Sequence, residues 1–242
     1  MHVELSVVVP VCNEEENVGP LAHEIVQALA GRSFEVLFVD DGSTDATASE
    51  VLKTRASGIG TVRLLRHARR SGQSSALCTG VRHARATWVA TLDGDGQNDP
   101  ADIPRLLLVA QTPNSEDLRL VTGNRRASRR DTWFRRLQSR IANGVRASML
   151  GDATPDTGCG LKLMHRDTFL QLPQFDHMHR FLPALFQRAG AGVVSVPVSH
   201  RARTHGTSKY GMFDRLWIGI VDLFGVMWLG RRRIGGDDVR EE

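Results

Sequence analysis

Four short apolar runs, 5–11, 34–39, 61–65 and 87–92, are rich in Val, Leu, Phe and Thr. Amphipathic stretches near 17–30, 45–56 and 73–84 separate them. Continuous β-branched runs of this length predict strands buried on both faces, and the alternation with helix-length segments predicts β-α-β-α-β-α-β. Such an order winds into a parallel sheet through right-handed crossovers, with chemistry at the carboxyl ends of the strands.

Beyond residue 100 the pattern predicts a helix near 101–111, a strand near 118–122, an arginine-rich helix near 131–149, a strand near 159–164, a helix near 179–189 and a strand near 192–198. A polar loop follows at 200–210. The segment 212–229 is apolar but holds Asp214, Arg215 and Asp222, and Arg231, Arg232 and Arg233 follow it. At 100° per residue Phe213, Trp217, Phe224 and Trp228 fall on one stripe and the three charges on another, the pattern of an amphipathic helix lying in a membrane interface. The expected organisation is a catalytic domain over 1–210, an interfacial helix with a basic end over 211–233 and a polar tail over 234–242.

The 242 residues, 41% hydrophobic and 24% charged, suffice for one sizeable α/β core and exclude a fibrous or disordered chain. Cys12, Cys78 and Cys159 stand far apart with no C-x-x-C pair, so they read as small buried hydrophobes in a reducing compartment. The sequence Met1-His2-Val3-Glu4 has no basic leader region, and the expected location is cytoplasmic, peripheral at the inner membrane face. The net charge of +4 is unevenly spread. Nine arginines between Arg119 and Arg146 face a single acid, Asp131, which gives that stretch +8 and leaves −4 elsewhere. Such a cluster suits phosphates. A nucleic-acid-binding module is disfavoured, because the acidic crevice described next would repel a polyanion and no aromatic array accompanies the arginines.

The first strand ends in Pro10-Val11-Cys12-Asn13-Glu14 and the second in Asp40-Asp41-Gly42-Ser43-Thr44-Asp45. Neighbouring strand ends thus bring carboxylates to one crevice, suited to the hydrogens of a nucleoside, with Asp45 capping the next helix. No G-x-G-x-x-G follows the first strand, which disfavours a dinucleotide fold. The fourth strand ends in Asp93-Gly94-Asp95-Gly96-Gln97. Two carboxylates one residue apart at a buried strand end repel unless a cation neutralises them, and oxygen ligands select Mg²⁺ or Mn²⁺.

Together with Gly72-Gln73-x-x-Ala76-Leu77-x-x-Gly80, Gly123-x-Arg125, Asp156-x-Gly158-x-Gly160 and Arg203-x-x-Gly206-x-Ser208-Lys209-Tyr210, these motifs resemble family 2 glycosyltransferases. Within that family the chain is similar to the branch of dolichyl-phosphate mannose synthases and bacterial polyprenyl-phosphate glycosyltransferases, over residues 5 to 211. The resemblance implies a GT-A (Rossmann-like) α/β fold with a mostly parallel sheet, a nucleotide-diphosphate sugar donor and a polyprenyl phosphate acceptor. It implies that Pro10, Asn13, Glu14, Asp40, Asp41 and Gly72 bind the nucleotide sugar, that Asp93 and Asp95 hold the metal and that Gln97 orients the same site. It also implies that Arg125, Arg135, Ser139, Arg203 and Lys209 bind the acceptor phosphate, although Arg125-Arg126 and Arg135-Arg136 are doubled. His179-Arg180 reads either as reaching the acceptor side or as an ordinary helix start. Relatives often continue into transmembrane helices, which are not expected in this chain. A downstream membrane glycosyltransferase or flippase is the implied consumer of the product.

The chemistry is coherent on its own terms. A lipid phosphate, with a second pKa near ~6, is already a nucleophilic dianion at neutral pH and needs no strong base. Attack on the anomeric carbon opposite the departing diphosphate inverts that centre. A sugar or lipid hydroxyl as acceptor would need a carboxylate base, and Asp156 is the candidate in that rival reading.

Overall fold

The computed structural model describes residues 3–59, 61–112, 117–125, 144, 147, 149–152, 154–202 and 212–232, with side chains in the last segment from 219 onward. Seven strands form one sheet in the order β3-β2-β1-β4-β6-β5-β7. They are β1 (Leu5–Val11), β2 (Phe34–Asp40), β3 (Val62–Arg66), β4 (Trp88–Thr91), β5 (Leu118–Asn124), β6 (Lys162–His165) and β7 (Gly192–Pro197). The first four pair in parallel, joined by α1 (Glu15–Ala28), α2 (Thr47–Ala56) and α3 (Gln73–His83). The second half adds α4 (Ile103–Ala110), α5 (Arg166–Leu170), α6 (Leu182–Arg188) and α7 (Met212–Arg231).

Strand β6 departs from the parallel pattern. It returns between β4 and β5, antiparallel to both, while β5 and β7 are parallel. The residues just before β6 are thereby brought against the end of β4, which places Cys159 and Gly160 beside Asp93. The short helix α5 has no counterpart in the periodicity, since five residues hold too few apolar positions to show one.

Apolar side chains cover both faces of the sheet, as a doubly buried strand pattern requires. One core packs α1, α2 and α4 against the sheet through Leu21, Ile25, Phe38, Val51, Leu106 and Leu107. The other packs α3, α5, α6 and α7 through Leu37, Val81, Phe169, Leu185, Phe186 and Val226. Phe38, Phe169 and Phe186 are completely buried, and truncating a side chain of that kind costs roughly 3–5 kcal/mol.

Proline 10 marks where the sheet opens. Strand β1 pairs with β4 only from Leu5 to Val8, so a residue without an N–H is tolerated at position 10 on that side. The strands diverge there, and the cleft lies in the gap.

Candidate functional site

The loops after β1 and β2 are laced together by side chains at fixed offsets. Asn13 takes a left-handed conformation (φ 54°), which asparagine tolerates better than most residues. Its N–H donates to Ser43 Oγ at 2.9 Å, and its side-chain oxygen accepts from the Thr44 N–H at 2.8 Å. The Glu14 N–H donates to Thr47 Oγ1 at 2.8 Å. Asp45 caps α2 as expected, accepting from the N–H and hydroxyl of Thr47 at 3.0 and 2.6 Å.

The two carboxylates ending β2 do different work. Asp41 lines the cleft but is already engaged, accepting from the N–H groups of Ser71 and Gly72 at 2.8 Å each, with His67 Nδ1 also at 2.8 Å. It fixes the loop that starts α3. Asp40 is fully buried, accepts from the Ser43 N–H at 2.9 Å and from Arg66 Nε at 3.2 Å, and is not among the cleft-lining residues. The expectation that Asp40 meets the nucleotide is therefore corrected to a loop-bracing position, because it is fully buried and does not reach the cleft.

The cleft occupies about 500 Å³ at the carboxyl ends of β1, β2 and β4, lined among others by Pro10, Glu14, Asp41, Gly72, Asp93 and Asp95. Asp93 and Asp95 straddle the end of β1 because the residue between them is glycine. A Cβ at Gly94 would lie 2.7 Å from Val11 Cγ1 and 3.0 Å from the Pro10 carbonyl oxygen. A Cβ at Gly160 would fall inside the carboxylate of Asp93, so the two glycines jointly make room for the acidic pair. Gln73 Nε2 donates to Asp93 Oδ1 at 2.9 Å, and the Gln97 N–H donates to Asp95 Oδ1 at 3.1 Å. Gln97 thus braces Asp95 through its backbone and is not a lining residue.

Burial, and then the charge of Asp95, push the Asp93 carboxyl above its ordinary range. A cation bound between the two carboxylates would offset both effects. Among the described residues no three His, Cys, Asp or Glu converge into a metal cage. Two oxygen donors on a rigid strand end fit a hard divalent ion that draws its other ligands from phosphate and water.

Arg125 and Asp156 form a buried ion pair. Asp156 accepts from the Arg125 N–H at 3.1 Å, Nε at 2.8 Å and Nη2 at 3.0 Å, and both side chains are 9% exposed. Neither is among the residues lining the cleft. Arg135, Ser139, Arg203 and Lys209 lie outside the described residues. The loop carrying Arg203 starts close to the site, however, because the Arg201 N–H donates to the Gln97 carbonyl at 2.9 Å and its guanidinium pairs with Glu24 and Asp99 at 2.7 and 2.8 Å.

Several cleft residues escaped the sequence reading. Cys78 and Cys159 are buried as expected, but Cys12 is only partly buried and lines the cleft, where β1 parts from β4. Lys162, 5% exposed, lies in the middle of the sheet, opposite Thr91 and Thr122, and donates to the Cys159 carbonyl. Its signal was a charge between Leu161 and Leu163 in a run read as a strand. His179 and Arg180, which the sequence left as either acceptor-side residues or an ordinary helix start, both line the cleft. Ser74 Oγ accepts from the His179 backbone N–H at 3.3 Å and lies 2.7 Å from its Nδ1. The Ser74 hydroxyl and His179 Nδ1 share one proton, whose side is set by the ring's tautomer.

Burial, followed by the charges of Lys162 and Arg180, lowers the His179 pKa from 6.5 to about 3. In the unfolded chain the ring takes up its proton near the ordinary value, so below pH 6.5 the unfolded state binds more protons. Stability should therefore fall as the pH drops from 6.5 toward 3, and His179→Gln should flatten that dependence. Urea midpoints for both proteins at pH 7 and pH 5 measure it, and equal slopes would contradict the burial of a neutral ring.

A sheet of order β3-β2-β1-β4-β6-β5-β7, opening over a carboxylate pair at the end of β4, defines the GT-A fold expected from the motifs. Glucosyl-3-phosphoglycerate synthase from Mycobacterium tuberculosis, solved with Mn²⁺, UDP and glucosyl-3-phosphoglycerate, has this fold, with a TM-score of 0.72 over 94% of this chain and 80% of that one at 18% identity. The chain belongs to glycosyl transferase family 2, whose profile matches residues 6–172. It is 37% identical over 237 residues to dodecaprenyl-phosphate galacturonate synthase of Rhizobium johnstonii, covering 95% of this chain and 68% of the relative. It is 35% identical over 212 residues to undecaprenyl-phosphate 4-deoxy-4-formamido-L-arabinose transferase of Edwardsiella ictaluri, covering 86% and 63% respectively. The chain thus spans about two thirds of the length of these relatives.

Proposed function

We propose that this glycosyltransferase moves a hexose or hexose-derived sugar from a nucleotide diphosphate to a polyprenyl phosphate, inverting the anomeric centre. The observation that carries the acceptor class is the Arg125–Asp156 pair. The carboxylate that a hydroxyl acceptor would need as base is held by three donations from one arginine. An acceptor that arrives ionised needs no such base. The two relatives support the same reading, since their names share a polyprenyl phosphate acceptor and differ in the sugar.

In this reading the rigid ends of β1 and β2, with Pro10, Asn13, Glu14, Asp41 and Gly72, receive the nucleoside. Asp93 and Asp95 hold Mg²⁺ or Mn²⁺, which neutralises the departing diphosphate. Gln73 and the Gln97 N–H keep the two carboxylates turned toward the same space. The acceptor phosphate is oriented by Arg135, Ser139, Arg203 and Lys209, Arg125 being held by Asp156 outside the cleft lining, so that its oxygen faces the anomeric carbon opposite the leaving group. A panel of uridine and guanosine diphosphate sugars with a short polyprenyl phosphate, read by NMR for the anomeric configuration of the product, tests this. Transfer to hydroxyl acceptors and not to phosphates would overturn it.

The acceptor's tail requires a lipid-facing surface, and α7 supplies one. Val226 is buried against the body, and Arg188 donates to the carbonyls of Leu229 and Arg232 at 2.8 and 3.2 Å, which anchors the end of the helix. Val221, Phe224 and Trp228 on the outer side are 57%, 54% and 58% exposed, beside Arg231 and Arg232. No described helix is long and apolar enough to cross a membrane. An interfacial placement, on the cytoplasmic face, follows from aromatic anchors with a basic end. Replacing Phe224 and Trp228 together by Ser, which leaves the buried Val226 untouched, should abolish sedimentation with anionic vesicles and slow turnover on long-chain polyprenyl phosphate more than on a short soluble analogue. Unchanged sedimentation would move the lipid surface elsewhere.

A further inference from the structure

Among the described residues two positive side chains of the cleft, Lys162 and Arg180, make no hydrogen bond or salt bridge to a carboxylate, although Lys162 lies in the field of Asp93 and Asp156. Four acids line the same space, yet among the described residues Lys162 Nζ donates only to the Cys159 carbonyl, and the Arg180 guanidinium makes no hydrogen bond or ion pair. His179 stands beside them, with Nδ1 hydrogen-bonded to Ser74 Oγ. A cation carried on a central strand and only 5% exposed is costly unless a ligand brings an anion to it.

We propose that Lys162 and Arg180, with the His179 ring beside them, read a carboxylate on the transferred sugar, so that the donor is a nucleotide-diphospho-uronic acid. The inference rests on the sugar-transfer reading above and narrows its donor. Three arguments select a sugar carboxylate. Hydroxyl groups are served by neutral donors and acceptors, whereas a planar fork beside an ammonium matches a carboxylate. The nucleoside side of the cleft is assigned to Asp41 and the 71–72 loop it holds, whereas Lys162 is close enough to Asp93 to feel its charge, at the metal end where the diphosphate and its sugar would lie. A phosphate tethered to an isoprenoid chain enters from the open mouth, so a group as buried as Lys162 is reached by the untethered part of the donor.

Calorimetry on the full chain with Mn²⁺, using matched pairs of uronate and neutral donors on uridine and guanosine carriers, tests the assignment. The uronate of a matched pair should bind at least about tenfold more tightly, the strength of a charge-assisted contact. Arg180→Gln should bring that ratio toward one, Arg180→Lys should restore part of it, and binding of the bare nucleoside diphosphate should not change. Lys162→Met should act likewise; if it does not fold, the partly exposed Arg180 carries the test alone. Equal affinity for neutral and uronate donors overturns the proposal, as does an Arg180→Gln variant whose ratio is intact while the KM for polyprenyl phosphate rises. Transfer of a neutral hexose to polyprenyl phosphate at the uronate's rate would leave the transfer reading standing and remove the carboxylate. Failure to bind any nucleotide sugar would remove both.

Discussion

Asp95→Asn should lose sugar transfer by about a hundredfold or more at saturating Mg²⁺ or Mn²⁺, and Asp93→Asn should do the same. The amide keeps the shape, and an amide oxygen could still accept from the Gln97 N–H that Asp95 Oδ1 holds at 3.1 Å. What disappears is one of two negative charges that retain the cation on the leaving diphosphate. Stabilisation of charge that develops in a transition state is commonly worth ~3 kcal/mol or more, and ~1.4 kcal/mol is tenfold in rate. Melting should change little, because removing one charge relieves the repulsion that helps to push Asp93 upward. Initial rates across a metal titration, beside melting curves, measure both effects. A variant retaining more than a tenth of the wild-type rate would contradict the assignment of the metal to this pair.

Asp156 should matter first for folding. Asp156→Ala removes the carboxylate that accepts three donations from the 9% exposed Arg125, and breaking one side of a buried pair costs roughly 3–5 kcal/mol. At about 2–4 °C per kcal/mol for a domain of this size, the melting temperature should drop by roughly 6–20 °C. Asp156→Asn, which keeps the volume and part of the hydrogen bonding, should remain folded at assay temperature and keep measurable turnover on polyprenyl phosphate. The pairing makes the test sharp, since loss of structure and loss of a base are read separately by calorimetry and by initial rates. A folded Asn variant that is dead on every phosphate acceptor would make Asp156 the base and favour a hydroxyl acceptor.

The alternation of β-branched runs and amphipathic stretches was enough to place β1 to β4 within two residues of their ends, because a doubly buried parallel strand must be apolar throughout. The acidic pair was equally legible. A D-G-D at a strand end is chemically conspicuous, and nothing nearby could neutralise it in the local sequence. The cap by Asp45 was likewise written in spacing alone, since capping joins residues two apart. These features are local, and local chemistry survives in one dimension.

Other features depend on which strands lie side by side. Asp40 and Asp41 are adjacent and chemically identical, yet one braces a loop with Arg66 and the other lines the cleft, because successive strand residues face opposite sides of the sheet. Arg125 and Asp156 are 31 residues apart and meet through the antiparallel return of β6. The same return brings Gly160 against Asp93 and plants Lys162 in the sheet centre, and α3 carries Ser74 to His179, 105 residues away. By itself the sequence determined the parallel half of the sheet, the carboxylate pair and the family's motifs. Only the tertiary structure decided which carboxylates line the cleft and which brace loops or pair within the fold, because the meeting of charges across a sheet is set by strand order and face, neither of which is encoded in spacing along the chain.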